Sequence, residues 1–386
     1  MPDGRAIDAR DWPSWVKLDC VPVGLVNRRL RLADIFSGCG GMALGACEGA
    51  RNSMQLVDLR LAVDINARAL RVMSDNFKLD SKRAVCSDIR KIFPGNLGDA
   101  LDPVERKFRR RVDEIDLLTA GPPCQGHSNL NNHSRRSDPR NLLYLSAIRA
   151  VEVLRPSVAI IENVPAVIHD HGRHQQDGER FLRSLGYETA GRVVSMTNYG
   201  VPQRRKRHVL IASKIHSRIQ LEISLKPATQ CLVPIRDFIG DIENEPEYKF
   251  GPFYSPARAS GTNAERIRWL FENDQFDLPN SLRPPCHRDK AHSYKSMYGR
   301  LDWRAPAQTI TSGFGSMGQG RFVHPSRQRT LTCHEAARIQ GFPDFYSFAT
   351  CDSQTALREM IGNAVPPQLC AELVKKLFGT NIQPDL

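Results

Sequence analysis

What the chain lacks narrows the field first. No apolar run among its 386 residues approaches the roughly 18 that a bilayer span needs, and the N-terminal MPDGRAIDARDW has no signal-like apolar stretch. A cytoplasmic protein without a membrane partner is therefore expected. Cysteine is plentiful, with ten residues, yet no two form a CxxC pair. That pattern argues against a disulfide framework or a structural zinc site and for reduced thiols, so no metal is expected. Internal repeats are absent too. What is present is a hydrophobic content of 41%, enough for a full core and roughly two to three domains. Lys and Arg outnumber Asp and Glu by 54 to 42, for a net charge of +12, which suits a polyanionic partner.

Short apolar runs recur between helical patterns from about residue 30 to 213: Leu32–Phe36, Leu59–Val63, Ile115–Ala120, Val158–Ile161 and His208–Ala212. Read as buried strands separated by helices, they predict an α/β domain with a largely parallel sheet, and functional residues at the carboxyl ends of the strands. Residues 214 to 330 change character, with many prolines and aromatics and no βα alternation, and are read as a smaller irregular domain. A capping box, Thr332 with Glu335, predicts a helix stopped by Gly341 and Pro343. Thr355 to Phe378 reads as helical around a break at Gly362-Asn363-Ala364-Val365-Pro366-Pro367. The first thirty residues, with Trp12 and Trp15, carry no interpretable motif.

Four segments carry chemistry. Asp34 to Ala43 (DIFSGCGGMA) places glycines where a strand turns sharply into a helix and a ligand approaches the backbone; Asp64 stands where a ribose-binding acid belongs. Alone, this fits a nicotinamide enzyme as well as an S-adenosylmethionine enzyme. In Gly121-Pro122-Pro123-Cys124-Gln125-Gly126, two prolines fix the backbone before a cysteine at a strand end, marking a held nucleophile, whereas the other nine cysteines read as inert. Glu162 directly follows an apolar strand, where an apolar pocket would raise its pKa and keep it protonated. Gln203 to Arg207 (QRRKR) enters another strand, along which alternation would point Arg205 and Arg207 to the same side.

Together with AVDIN, SDI, ENV, EAARIQGFPD and GNAVPP, these blocks resemble the DNA (cytosine-5)-methyltransferase family, in that family's unpermuted order and over nearly the whole chain. The resemblance implies an S-adenosylmethionine-dependent methyltransferase fold, Rossmann-like, with a smaller target-recognition domain. It would comprise residues 1–213 for the catalytic domain (1–30 an extension), 214–345 for recognition and a hinge helix, and 346–386 returning to the catalytic domain. Carried over, Phe36, Ser37, Gly38, Gly40 and Gly41 would line the cofactor pocket. Asp64, with Ile65 beside it, would hold the ribose, Asp88 and Ile89 would meet the adenine, and Asn363 and Val365 would close the pocket. Cys124 would be the nucleophile, Glu162 would sit at cytosine N3, and Arg207 at O2 with Arg205 beside it. The polar segment His127 to Asn141 would close over a flipped base.

Three departures stand out: His127 after GPPCQG, Ile65 after Asp64, and Cys333-His334 before Glu335. The implied partner is double-stranded DNA, met by a monomer in the nucleoid; a separately encoded restriction endonuclease is a candidate companion. An RNA cytosine methyltransferase is the nearest rival, opposed by the absence of a Cys-Phe-Thr signature. A DNA-binding regulator that has lost catalysis is the rival from another class. Cys286, His287 and His292, and His169, His171 and His174, are only faintly metal-like.

Overall fold

The computed structural model describes residues 29–123, 142–170, 172–226, 232–244, 251–288 and 297–379. Cys124, the 127–141 segment and the N-terminal tryptophans lie outside the described residues. Two compact units emerge. The sheet unit runs β1 (Arg29–Ile35), α1 (Gly41–Arg51), β2 (Leu56–Asp64), α2 (Ala67–Phe77), β3 (Ala84–Cys86), α3 (Ile89–Ile92), α4 (Pro103–Val112), β4 (Leu117–Ala120), α5 (Leu142–Leu154), β5 (Val158–Asn163), α6 (His174–Ser184) and β6 (Glu188–Ser195). The chain enters the second unit for β7 (Gln203–Arg204) and returns for β8 (Lys206–Ser213) and α7 (Arg218–Ser224). It leaves again for α8 (Arg236–Ile239), α9 (Gly261–Glu272), α10 (Pro285–Arg288), β9 (Ala307–Gln308), α11 (Cys333–Ile339) and α12 (Gln354–Asn363), then comes back with α13 (Pro367–Phe378).

Seven strands form one sheet in the order β3-β2-β1-β4-β5-β8-β6. The pairs among β1 to β5 are parallel, and β8 runs antiparallel to both neighbours. β4 and β5 are buried at every position, as continuous apolar runs covered on both faces require. The five expected strands all form. The sheet also gains β3 and β6, which the apolar runs do not mark. The expected single strand through QRRKR is not found: β7 pairs with β9 in the second unit, β8 belongs to the main sheet, and the chain changes partner at Arg205.

Among the described residues, the compact units meet along the chain at 195/196, 205/206 and 364/365. Residues 206–226 fall with the sheet because α7 packs beside β6 and Lys376 Nζ donates to the Lys226 carbonyl at 3.1 Å. The second unit extends to Ala364. Inside it, Gln203 is buried and joins three elements: its Nε2 donates to Gln340 Oε1 (2.8 Å) and its Oε1 accepts from Ile310 N–H (2.8 Å). The capping box at α11 forms as predicted, Thr332 N–H donating to Glu335 Oε2 (2.8 Å) and Glu335 N–H to Thr332 Oγ1 (3.1 Å). Burial pushes the Glu335 carboxyl up, but Arg329, His324 and the Thr332 N–H outweigh it and hold it below its ordinary value.

In the sheet unit, α1 and α13 lie against each other at backbone distance. A Cβ on Gly45 would fall on the Pro367 carbonyl oxygen and 2.9 Å from the Cys370 Cβ; one on Gly49 would be 2.5 Å from the Ala371 oxygen. Gly45→Ala gains up to ~1 kcal/mol in helix propensity. The clash is with backbone and cannot rotate away, so net destabilisation of about 2 kcal/mol is expected. Chemical denaturation of the full chain checks this, and an unchanged or raised midpoint would show that the two helices separate freely.

Candidate active site

The site is built on the carboxyl edge of the parallel strands. After β1 the chain takes a left-handed conformation at Phe36 (φ 54), Gly38 (φ 53) and Gly40 (φ 85) before α1 begins at Gly41. Such a conformation is costly for a phenylalanine, so the turn must be held. Ser37 N–H donates to the Val63 carbonyl (3.0 Å), Gly38 N–H to Asp64 Oδ2 (2.8 Å), and Asp64 Oδ1 accepts from Asn66 N–H (2.7 Å). Asp64 thus ties the glycine turn to the start of α2. Open space surrounds Gly38, where an added Cβ would meet nothing within 4 Å. That is the cradle a ligand lying on the backbone needs.

Beneath the turn sits a group whose role the sequence motif does not reveal. Asp34, on β1, is 1% exposed. It accepts from the Thr119 hydroxyl of β4 (2.7 Å) and from the Ala43 backbone, bracing the start of α1, whose N-cap Gly40 has no side chain to do so. Its Oδ2 has no hydrogen-bond partner among the described residues. Burial pushes its pKa up to about 7, Asp64 adds to the rise, and Thr119 and Ala43 oppose it.

Three further segments converge at Gly121, just after β4. A Cβ there would lie 3.7 Å from Val365 Cγ2, 3.8 Å from the Phe36 oxygen and 3.9 Å from Glu162 Oε2. One point thus joins the β1 turn, the end of β5 and the segment leading into α13. Asn163 Nδ2 donates to the Pro122 carbonyl (3.3 Å) and fixes the Pro-Pro turn that leads to Cys124. Glu162 is 6% exposed, and its Oε1 is 2.6 Å from Arg207 Nε. This ion pair is not aligned as a hydrogen bond, which leaves Oε1 without a donor among the described residues. A guanidinium thus faces Glu162, where an apolar pocket is the condition for a raised pKa.

Other expected residues are placed differently. Arg205 is buried in the second unit, its Nη1 donating to the carbonyls of Ile310 (2.9 Å) and Gly362 (3.3 Å), and Asn363 also belongs to that unit. The Asp88 carboxylate caps α3 and pairs with Arg90 (2.6 Å). Ile89 is in the core, so only its backbone can meet a ligand, whereas Ile65 is 72% exposed at the carboxyl end of β2. Cys39 and Cys333 are buried with thiols pushed up to about 12 by that burial, as inert cysteines should be. His334, in the second unit, bonds Asp344 (3.0 Å) and packs on Phe253 and Tyr254. His174 contacts Asp170.

A glycine turn after β1, an acid after β2, a rigid turn after β4 and a carboxylate after β5 define an α/β enzyme of the nucleoside-cofactor type. The chain belongs to the C-5 cytosine-specific DNA methylase family, whose profile matches residues 30–379. It is 41% identical to the type II methyltransferase M1.BsuMI of Bacillus subtilis, over 92% of this chain and 82% of the relative. Identity to the type II methylase M.HgiDII of Herpetosiphon aurantiacus is 28%, over 89% and 94%. Among solved structures, a putative DNA modification methyltransferase encoded within an Escherichia coli prophage superposes with a TM-score of 0.60 at 24% identity, over 90% of this chain and 98% of that one. The Dnmt2 methyltransferase of S. pombe gives 0.60 at 18%, over 90% and 97%. The chain is a DNA cytosine-5 methyltransferase, and its family implies S-adenosylmethionine as cofactor.

Asp34 gives the unit a pH signature. Unfolded, the carboxyl has its ordinary value of 3.8; folded it is about 7, so the native state holds the extra proton between these values. The stability it contributes is complete below about 4 and is lost as pH rises through 7. Asp34→Asn keeps one acceptor and cannot ionise. Urea midpoints measured from pH 4 to 8 should lose part of their downward slope in this variant; parallel curves for both proteins would refute the assignment.

Proposed function

We propose that this enzyme methylates C5 of a specific cytosine in duplex DNA, taking the base out of the stack and attacking C6 with Cys124. The observation that carries the reading is the convergence at Gly121: cofactor turn, buried carboxylate and the fixed Pro-Pro approach to the thiol meet at one point. Phe36, Ser37, Gly38, Gly40, Gly41 and Asp64 would hold the cofactor, with Ile65, Asp88, the Ile89 backbone, Asn363 and Val365 bordering it. Open space at Gly38 and the exposed Ile65 fit an adenosyl group. When bound, S-adenosylmethionine supplies an electrophilic methyl group.

The chain's own residues do the rest. C5 of cytosine is a poor nucleophile until a thiolate adds to C6; Cys124 forms that bond, and C5 becomes enamine-like. Glu162 would meet N3 and donate a proton to it as negative charge develops there, its Oε1 having no donor among the described residues. Arg207 faces O2 and shares the developing charge. Loss of the C5 proton and departure of Cys124 restore the aromatic ring. Arg205 acts through its backbone carbonyl partners, a positioning role rather than the direct one suggested by resemblance. C6 is shielded within a duplex, so the target base must be flipped, and the 127–141 segment would close over it.

Residues 214–345 would read the recognition sequence. Type II relatives favour a modification role in the bacterial cytoplasm, with a separately encoded endonuclease as the companion. No helix among the described residues is long and apolar enough to cross a membrane. The test is bisulfite sequencing of DNA from a host without cytosine methylation that expresses the chain or its Cys124→Ala variant. Protection at one recurring motif, lost in the variant, is expected; no protection with the unaltered chain would overturn the reading, and labelled transfer to RNA would then support the rival substrate. In purified enzyme, Glu162→Gln should lower single-turnover methyl transfer by about 100-fold or more, with cofactor affinity retained. A rate within threefold of the parent would remove Glu162 from the chemistry.

A further inference from the structure

The mechanism leaves unused a strongly basic surface of the sheet unit. Helix α4, PVERKFRRRV, buries Glu105 and Val112, packs Phe108 against the core and leaves its other residues exposed. Arg106, Lys107, Arg109 and Arg110 are all exposed, and none pairs with a carboxylate among the described residues. The patch continues beyond the helix. Arg155 is exposed at the end of α5, and Lys214 follows β8 with its ammonium 4.8 Å over the Tyr187 ring. Lys214 N–H donates to the Ser157 carbonyl (2.9 Å), and Val158 pairs with Ser213, so Arg155 and Lys214 flank the same end of the sheet. Ser157 N–H also donates to the Ile115 carbonyl (3.3 Å), three residues past the end of α4, which brings the helix to the same end of the sheet, and partial burial, then Arg155 and Arg109, hold the Lys214 ammonium below its ordinary value.

Two features decide what this surface is for. Cations near a helix C-terminus offset its dipole, which accounts for Arg109, Arg110 and Arg155. It does not account for Arg106 and Lys107 in the first half of α4, or for Lys214 after a strand. The second feature is position. α4 leads into the amino end of β4, Arg155 precedes β5, and Lys214 follows β8, so the patch is at the amino ends of the parallel strands. Phe36, Gly121 and Glu162 are at the carboxyl ends. The six residues of β5 put about 20 Å between the two edges. A straight duplex seated on the catalytic edge cannot also lie on the opposite one.

We propose that this face binds a second segment of duplex DNA, outside the target site, through its phosphates. The proposal rests on DNA being the substrate. Duplex DNA presents one negative charge per ~1.7 Å, and α4 with its ten residues spans about 15 Å, so several cations meet several phosphates at once. Exposed cations that meet phosphates rather than base edges give a contact indifferent to sequence. Its consequence is transfer of the enzyme from one segment to another without full release.

The test uses the full chain and two short duplexes carrying different fluorophores, one with the target cytosine and one without. The parent should bring both into one complex, seen as energy transfer between them. With Arg106, Lys107, Arg109 and Arg110 all changed to Gln, that signal should fall at least fivefold while single-turnover methyl transfer to the short target duplex stays within twofold. The log–log salt dependence of binding to the non-target duplex should flatten by about 3 to 4, near 0.9 for each phosphate no longer neutralised. Replacing the three arginines by Lys should keep the signal, and the separate Arg155→Gln, Lys214→Gln pair should lower it without touching α4. No paired complex with the parent, or an unchanged one in both Gln variants, overturns the proposal. Loss of transfer to the short duplex in a folded Gln variant also overturns it, since that would put α4 on the target duplex itself. A parent that bridges duplexes but methylates neither would instead overturn the proposed reaction and leave the patch standing.

Discussion

The architecture of the sheet unit depends on one close approach, that of the backbone of α1 to the backbone of α13. Gly45 and Gly49 leave no side chain between them, and the Pro367 carbonyl occupies the space where a methyl group would be. The two helices are more than three hundred residues apart in the chain, so the contact closes the fold end to end. Its chemical importance lies in what is attached. α1 begins at the glycine turn after β1, and α13 is preceded by Val365, which reaches Gly121 beside Glu162. Any change in the spacing of the two helices moves both walls of the site.

Several buried charges among the described residues follow one rule. Arg149, 1% exposed, is met by Glu105 (2.6 Å) and Glu152 (2.8 Å) and by the Asp99 carbonyl. Glu335 is met by Arg329 and its own helix cap. These groups are satisfied from every side, as buried ions must be to avoid a heavy desolvation cost. Asp34 and Glu162 depart from it, each with an oxygen that has no donor among the described residues. Glu162 has a cation beside it and yet an Oε1 with no donor among the described residues, a cost that a polar group of a bound substrate would relieve.

The sequence exposed some of this and hid the rest for physical reasons. β4 and β5 were legible because strands covered on both faces read as unbroken apolar runs, and the α11 cap because its Thr and Glu are three residues apart. β6 was not: ETAGRVVS is an edge strand with half its positions exposed, and it lacks the apolar signature. β3, with three residues, is too short to carry one. Arg205 and Arg207 read as neighbours on one strand because alternation assumes an unbroken ladder. No local pattern reveals that the ladder changes partner between them, since the pairing of β7 with β9 joins residues about a hundred positions apart. Asp34 escaped notice for a related reason. An acid inside an apolar run looks like a strand end, and only the fold shows that Thr119 and the start of α1 need it there.

The charge balance then acquires a geography. Several carboxylates of the sheet unit, Asp34, Glu105 and Glu162 among them, are turned inward to brace a turn, hold an arginine or await a substrate. Carboxylates withdrawn in this way leave the outer faces to the cations, and a net charge of +12 understates how basic those faces are. The excess is also uneven. Exposed arginines such as Arg183 and Arg218 have glutamate partners four residues away, whereas four cations of α4 have none among the described residues. An enzyme needing positive charge only for solubility could have distributed it with partners throughout. Leaving it unpaired on one helix, at the end of the sheet away from the chemistry, concentrates the field where a polyanion can use it.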